Sequence, residues 1–282
     1  MVNSQLPEIT EVMRREFGLA KRYWNLALVT QFGMLALGWL AQFQLGAYWV
    51  WGSVGLIAAF LAVVLRFAAD SYYERGERTR RLAFWQDSVG RVANTNELLL
   101  TLALKPRAKP AEPAPIGAYF GSSAERGVRR LLDNLHESAF YTHRVAVCAR
   151  NAYSAVCVLG LLSAVILLRA TVEEAIRHPG ADGRGLVFLG RLATEVIGFF
   201  AAGSFLELAL SYHQLARSAE RTFERCGLLR DQGSVDEAIL SREVSDYDCA
   251  LGKARPLPTW AYRLQRQRLE EAWRKVAGSN TD

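Results

Sequence analysis

The sequence predicts an all-α membrane protein with four transmembrane helices in two hairpins, extended by cytosolic helices. Long, nearly charge-free apolar segments alternate with highly charged segments, although the mean hydropathy of the chain is only +0.04. A soluble protein of 282 residues would instead spread its apolar side chains at helical or strand periods. Each apolar segment approaches the length of about 20 residues that a helix needs to cross a bilayer.

Residues 24–69 form the first predicted transmembrane hairpin. Its first arm, residues 24–45, carries no formal charge, and its second arm, residues 48–69, carries only Arg66. Aromatic residues cluster at the start of the second arm, where a membrane protein places its interfacial belt. A buried hairpin of a soluble bundle is the alternative interpretation, and the near absence of charge argues against it.

Residues 151–212 form the second predicted hairpin, and its second arm is unusual. That arm holds Arg191, Glu195 and Glu207. A helix that faces lipid does not normally carry three charges. We therefore expect this arm to face protein or water inside a bundle of helices.

Four charged residues in the predicted spans are candidates for a pore lining or an intramembrane polar cluster. Glu195 is the deepest, about 15 Å from Gly185 at the rise of an α-helix. In a ring of subunits it would line a constriction that favours cations. Alternatively, Arg191 neutralises it as an i, i+4 pair that only holds the bundle together. Arg66 and Glu207 fall near the cytosolic interface, where they either pair or extend toward water.

The charged segments predict the orientation in the membrane. They comprise an amphipathic helix at residues 1–23, a helical insertion at 70–150 with a proline-rich linker at 105–117, and a helical tail at 213–282. These segments hold most of the 34 lysines and arginines. By the positive-inside rule, both termini and the large insertion are cytosolic. Attraction to anionic lipids accounts for the net charge of +6, so we expect no direct nucleic-acid binding.

Motifs of catalysis and of metal binding are not found in the sequence. There is no glycine-rich phosphate loop, no GxSxG and no HExxH. Glu243, Asp246 and Asp248 lie close together, but they fall in a solvated helical pattern without a nearby histidine. We therefore expect neither an enzyme nor a bound metal or cofactor.

The tail carries a resemblance to a known family. From Asp246 it reads DYDCALGKARPLPTWAYRLQRQRLE. The order of its features is an acidic-aromatic pair, then Arg255, Pro256, Pro258, Trp260, Tyr262, Arg266 and Glu270. This order resembles the cytosolic tail of the four-transmembrane pore-forming effectors that are associated with bacterial second-messenger nucleotide synthetases. One residue separates the two prolines, where the family pattern has two.

The resemblance implies an oligomeric effector of anti-phage defence in the bacterial inner membrane. Such an effector permeabilises or depolarises the membrane when a cyclic nucleotide, or a cytosolic sensor protein, signals infection. Arg255, Trp260 and Arg266 would then contact the ligand or partner through charge and stacking. Alternatively, residues 256–262 form a packed corner that caps the cytosolic helices.

Two other functions fit the same topology. The chain could be a non-conducting membrane scaffold or sensor subunit that recruits a cytosolic defence protein. It could also be a small ion channel unrelated to defence. A measurement of conductance would distinguish the scaffold from a pore. The residues of the sequence do not distinguish the two.

Overall fold

The computed structural model describes residues 6–43, 48–90, 121–177, 190, 205–233 and 235–278. Helices dominate these residues, and no β-strand occurs among them. The all-α prediction is therefore confirmed for the described part of the chain. Its six helices are α1 (Leu6–Phe43), α2 (Tyr48–Val89), α3 (Val128–Arg177), α4 (Phe205–Asp231), α5 (Glu237–Lys253) and α6 (Thr259–Gly278).

The first three helices are longer than the segments predicted from hydropathy. Helix α1 contains residues 6–23 of the predicted amphipathic helix and most of the first apolar arm, without a break between them. Its only proline, Pro7, lies in the first turn, where the missing N–H has no helical partner to lose. Helix α2 continues past the apolar arm to Val89, into the segment that is predicted to be a helical insertion.

Glycines end two of the helices. Gly90 and Gly233 follow α2 and α4 with φ values of 71° and 72°, a left-handed conformation that a glycine adopts without a steric penalty. Helix α4 runs through Gly227 and ends at Asp231. A glycine inside a helix costs only about 1 kcal/mol, and the neighbouring Cys226 lies in the core.

The described residues form two units. The charged unit comprises Met1–Ala20, Asp70–Ala149 and Ser211–Asp282, and the apolar unit comprises Lys21–Ala69 and Arg150–Leu210. Because α1 to α4 are continuous, each of them contributes residues to both units. Helices α5 and α6 belong to the charged unit alone.

The core of the charged unit forms where four helices bring their apolar faces together. Phe84 of α2, Leu131 and Leu135 of α3, Leu215 of α4 and Tyr247 of α5 are all almost completely buried in one cluster. Burial of such side chains contributes roughly 1.5–3 kcal/mol each. This cluster is the main source of stability in the charged unit.

The apolar unit has the opposite surface. Large apolar side chains of α2 and α3 remain exposed, including Phe60 at 71% and Phe67 at 74% on α2, and Leu161 at 68% and Ile166 at 66% on α3. In the most apolar stretches of these two helices, only 17% and 11% of the residues are buried. Helices α2 and α3 are long and apolar enough to cross a membrane.

Gly76 allows α1 to approach α2 closely, and this contact can be tested. A Cβ atom at Gly76 would lie 2.9 Å from the ring of Phe17, whereas one at Gly227 would meet nothing within 4 Å. We expect Gly76→Val to lower the free energy of unfolding by about 1–3 kcal/mol through overpacking. Gly227→Ala should raise it by about 0.5–1 kcal/mol, because alanine favours a helix. Thermal unfolding of the purified protein in detergent, followed by helical circular dichroism, measures both; shifts of the same sign would contradict the packing argument.

Candidate functional site

The predicted intramembrane residues are only partly within the described structure. Glu195 and Arg191 lie outside the described residues, so their predicted pairing stays a prediction. Glu207 lies in the first turn of α4 with an exposed side chain. Arg66, on α2, is half-buried in the apolar unit, and its surroundings define a polar cluster.

That cluster joins α1 to α2 within the apolar unit. The Nη2 atom of Arg66 donates a hydrogen bond of 3.0 Å to Oε1 of Gln31. Its guanidinium carbon lies 5.6 Å from the centroid of the Trp24 ring. Gln31 and Trp24 are both buried. An amide acceptor and an aromatic face thus replace part of the water that a buried cation loses.

The sequence does not directly identify Gln31 and Trp24 as partners of Arg66. Their spacing carries a usable signal, because residues seven apart lie on one face of a helix. A polar and an aromatic residue at that spacing, opposite the single arginine of a neighbouring apolar segment, would have suggested the cluster. A hydrogen bond between two helices, however, depends on their relative rotation, and periodicity does not give that.

The corner between α5 and α6 is tied to two other helices of the charged unit. Arg255 forms an ion pair of 2.5 Å with Asp70 of α2. The hydroxyl of Tyr212, on α4, donates a hydrogen bond of 2.8 Å to the carbonyl of Pro256. The backbone N–H of Arg255 also donates to Oγ of Ser211 at 3.4 Å. Pro256 is buried. The start of the corner, at Arg255 and Pro256, is therefore held against α2 and α4.

The other two predicted binding residues, Trp260 and Arg266, lie on α6. Trp260 is 40% exposed. Arg266 is exposed and pairs with Glu270 on its own helix at 2.8 Å. A cleft of about 350 Å³ lies elsewhere in the charged unit, between α4 and α5, and Arg221, Asp246 and Lys253 contribute charge to its lining. None of the three predicted residues lines this cleft.

A buried ionic network joins α2 to α5, and the sequence did not reveal it. The Nε atom of Arg80 donates to Glu77 at 2.8 Å, and its Nη2 atom donates to Asp248 at 2.5 Å. All three side chains are at most 10% exposed. Burial raises the pKa of the Asp248 carboxyl, although the Arg80 guanidinium acts in the opposite direction. The adjacent Tyr247 hydroxyl lies 2.8 Å from Oγ1 of Thr142, and burial raises its pKa to about 12.

The acidic residues of α5 separate from one another in the fold. Asp248 faces Arg80, Glu243 pairs with Arg225 at 2.5 Å, and Asp246 is exposed. Expecting all three in a solvated pattern was wrong for Glu243 and Asp248, which are buried. Because they point to different partners, they do not form a common set of ligands. Among the described residues, no group of His, Cys, Asp and Glu is placed to hold a metal ion.

His136 of α3 lies in an aromatic cluster with α4 and α6. Its ring stacks on Phe223 with a centroid distance of 4.4 Å and meets Trp273 edge-on at 5.6 Å. Its Nδ1 atom is buried without a hydrogen bond. Burial, reinforced by the charge of Arg230, lowers the pKa of His136 to about 4. The imidazole is therefore a neutral packing element that attaches α6 to the charged unit.

Comparison with protein-family models, with characterised proteins and with solved structures yields no match for this chain. The functional argument therefore depends on the residues and contacts described above.

Asp248 should have a large effect on stability because its loss leaves Arg80 underpaired in the core. We expect Asp248→Ala to lower the free energy of unfolding by about 3 kcal/mol. The exposed pair between Glu74 and Arg78 supplies a matched control, and Glu74→Ala should cost under about 0.5 kcal/mol. Urea unfolding in detergent, followed by circular dichroism, gives both values. If the two substitutions lowered the free energy of unfolding equally, the network would have no special role in stability.

His136 should make stability depend on pH. The pKa is about 4 in the folded protein and near 6.5 in the unfolded chain, so the unfolded chain binds more protons between these values. The contribution of His136, on the order of 2 kcal/mol, is fully present above pH 6.5 and is lost as the pH falls toward 4. His136→Phe keeps an aromatic ring and should remove this part of the pH slope. Urea unfolding of both proteins at several pH values tests this; parallel profiles would contradict it.

Proposed function

We propose that this chain is an inner-membrane pore-forming effector of bacterial defence, which permeabilises the membrane when its cytosolic part receives a signal. The observation that carries the membrane part of the proposal is the surface of the apolar unit. Phenylalanine, leucine and isoleucine side chains of α2 and α3 stay exposed there over most of their area. Water would strongly disfavour such a surface, whereas the hydrocarbon core of a bilayer accepts it.

The polar cluster supports a pore more than a simple anchor. An anchor has no need for a cation in its apolar part, and an intramembrane arginine is costly unless it faces a partner or water. Arg66 has Gln31 and Trp24 as such partners. If Glu195 and Arg191 face the same interior, an oligomer of these bundles would enclose a path lined by charge.

The charged unit would then be cytosolic and would control the pore. Two contacts of the corner reach Asp70 and Tyr212, which lie one and two residues beyond the apolar unit on α2 and α4. A cyclic nucleotide or a sensor protein that moves the α5–α6 corner would act on both helices at once. Such a ligand shifts the equilibrium between closed and open states by its difference in affinity for the two.

The tie between Arg255 and Asp70 provides a test that needs no activating ligand. If the corner holds the bundle closed, Arg255→Ala should raise basal potassium efflux from cells that express the protein by about threefold, the effect of losing one partly exposed ion pair. Arg266→Ala removes the exposed pair with Glu270 on α6 and should leave the efflux at the wild-type level. A potential-sensitive dye and a potassium electrode measure the response.

Glu195 is tested in the same background. Within Arg255→Ala, the additional change Glu195→Gln should lower the preference for cations over anions, because it removes the deepest charge of the predicted pore. If the selectivity for cations is unchanged, Glu195 has a structural role and does not line the pore. If no variant changes the membrane potential although the protein is found in the membrane fraction, the non-conducting scaffold replaces the pore.

A further inference from the structure

The first turns of α6 present an unusual outer face. Trp260 is 40% exposed and Leu264 is 73% exposed. The two residues are four apart and therefore lie on the same side of the helix. Arg263 lies between them in sequence and is also exposed. We call Trp260, Arg263 and Leu264 the α6 anchor face.

This face is basic as well as apolar. Residues 259–268 contain three arginines and no acidic residue. Arg266 is neutralised by Glu270, but Arg263 and Arg268 form no ion pair with any residue in the described part of the chain. Tryptophan with flanking arginines is the composition that favours the interface between lipid headgroups and acyl chains.

The position of the anchor face follows from the corner that precedes α6. Arg255 and Pro256 contact Asp70 and Tyr212, the residues at which α2 and α4 have just left the apolar unit. Trp260 follows Pro256 by four residues. At the other end of α6, Trp273 packs on Phe140 of α3, 5.4 Å between ring centroids. Phe140 lies about 15 Å along α3 from the start of the apolar unit at Arg150. Only the first turns of α6 therefore follow directly from the contacts with Asp70 and Tyr212.

We propose that the α6 anchor face binds the anionic headgroup layer of the membrane on the cytosolic side. The proposal depends on the proposed function, because it requires the apolar unit to be inserted in the bilayer. Trp260 and Leu264 would enter the interfacial region, and Arg263 would contact lipid phosphates. Each arginine near an anionic surface adds to the attraction, which salt weakens.

A lipid surface fits this face better than a second copy of the chain. A symmetric contact through the anchor face would bring Arg263 close to its own counterpart, and like charges at short distance repel. The phosphates of lipids supply the opposite charge. Because the corner connects α6 to α2 and α4, binding of the headgroups would also resist movement of the corner.

Fluorescence quenching of Trp260 tests the proposal. The wild-type protein and Trp260→Phe are reconstituted in vesicles of phosphatidylcholine, with or without phosphatidylglycerol, that contain a lipid with a nitroxide on its headgroup. The difference between the two proteins isolates Trp260 among the seven tryptophans. We expect this difference signal to be quenched about twofold more strongly in the anionic vesicles. The same subtraction with Trp273→Phe should show little quenching, since Trp273 packs in the aromatic cluster.

Charge reversals at two positions of α6 supply the matched comparison. Arg263→Glu should abolish the additional quenching in anionic vesicles. Arg274→Glu lies on the same side of the helix but about 16 Å further along its axis, so it should leave the quenching unchanged. If the two charge reversals changed the quenching equally, the proposal that the α6 anchor face binds headgroups would be wrong.

A second quencher separates failure of this inference from failure of the proposed function. A nitroxide in the middle of the acyl chains should quench tryptophans of the apolar unit that lie inside the bilayer. If it does and Trp260 is not quenched by the headgroup label, the protein is inserted and the anchor face is wrong. If neither label quenches any tryptophan, both proposals fail. If quenching of Trp260 decreased as the ratio of protein to lipid increased, the α6 anchor face would bind a second copy of the chain instead.

Discussion

Arg80 fixes the arrangement in which helices of the charged unit pack together. A guanidinium that loses its water in the core needs opposite charge at hydrogen-bonding distance, and Glu77 and Asp248 supply it. Glu77 belongs to the same helix, so Asp248 is the partner that attaches α5 to α2. The ion pair thereby orients Tyr247, the neighbouring residue on α5, toward α3. A core of leucine and alanine alone could slide along the helix axes, whereas this network accepts one arrangement of the three helices.

The same arrangement places the corner between α5 and α6. With α5 held on α2, the chain leaves α5 at Ala254 and meets Asp70 and Tyr212 within the next two residues. These contacts lie where α2 and α4 enter the charged unit, and both helices continue into the apolar unit without interruption. A continuous helix transmits displacement and rotation along its axis better than a loop does. The corner is for this reason the part of the charged unit through which a cytosolic signal would most directly act on the proposed pore.

The two units differ in which side chains they expose to their surroundings. In the charged unit, buried polar groups such as Asn134 and Asp87 bond to one another, while the leucine faces are hidden. In the apolar unit, large apolar side chains such as Phe60 and Leu161 stay exposed, whereas Arg66 donates a hydrogen bond to the buried Gln31. The second pattern is the one that a solvent of hydrocarbon selects. It gives a physical reason to treat Arg66 and Gln31 as part of a functional interior.

The sequence by itself determined that the chain is helical and that its charge is segregated, because hydropathy and proline positions act locally. It also located the corner at Pro256 and Pro258, since neither residue continues a helix. It did not reveal that Asp248 and Glu243 are buried. Their helical pattern looks solvated, and only the positions of Arg80 and Arg225 make burial of the two carboxylates acceptable. The partners of Arg66 and Arg255 were likewise decided by the tertiary structure, because pairing across helices depends on their rotation and register, which no local pattern encodes.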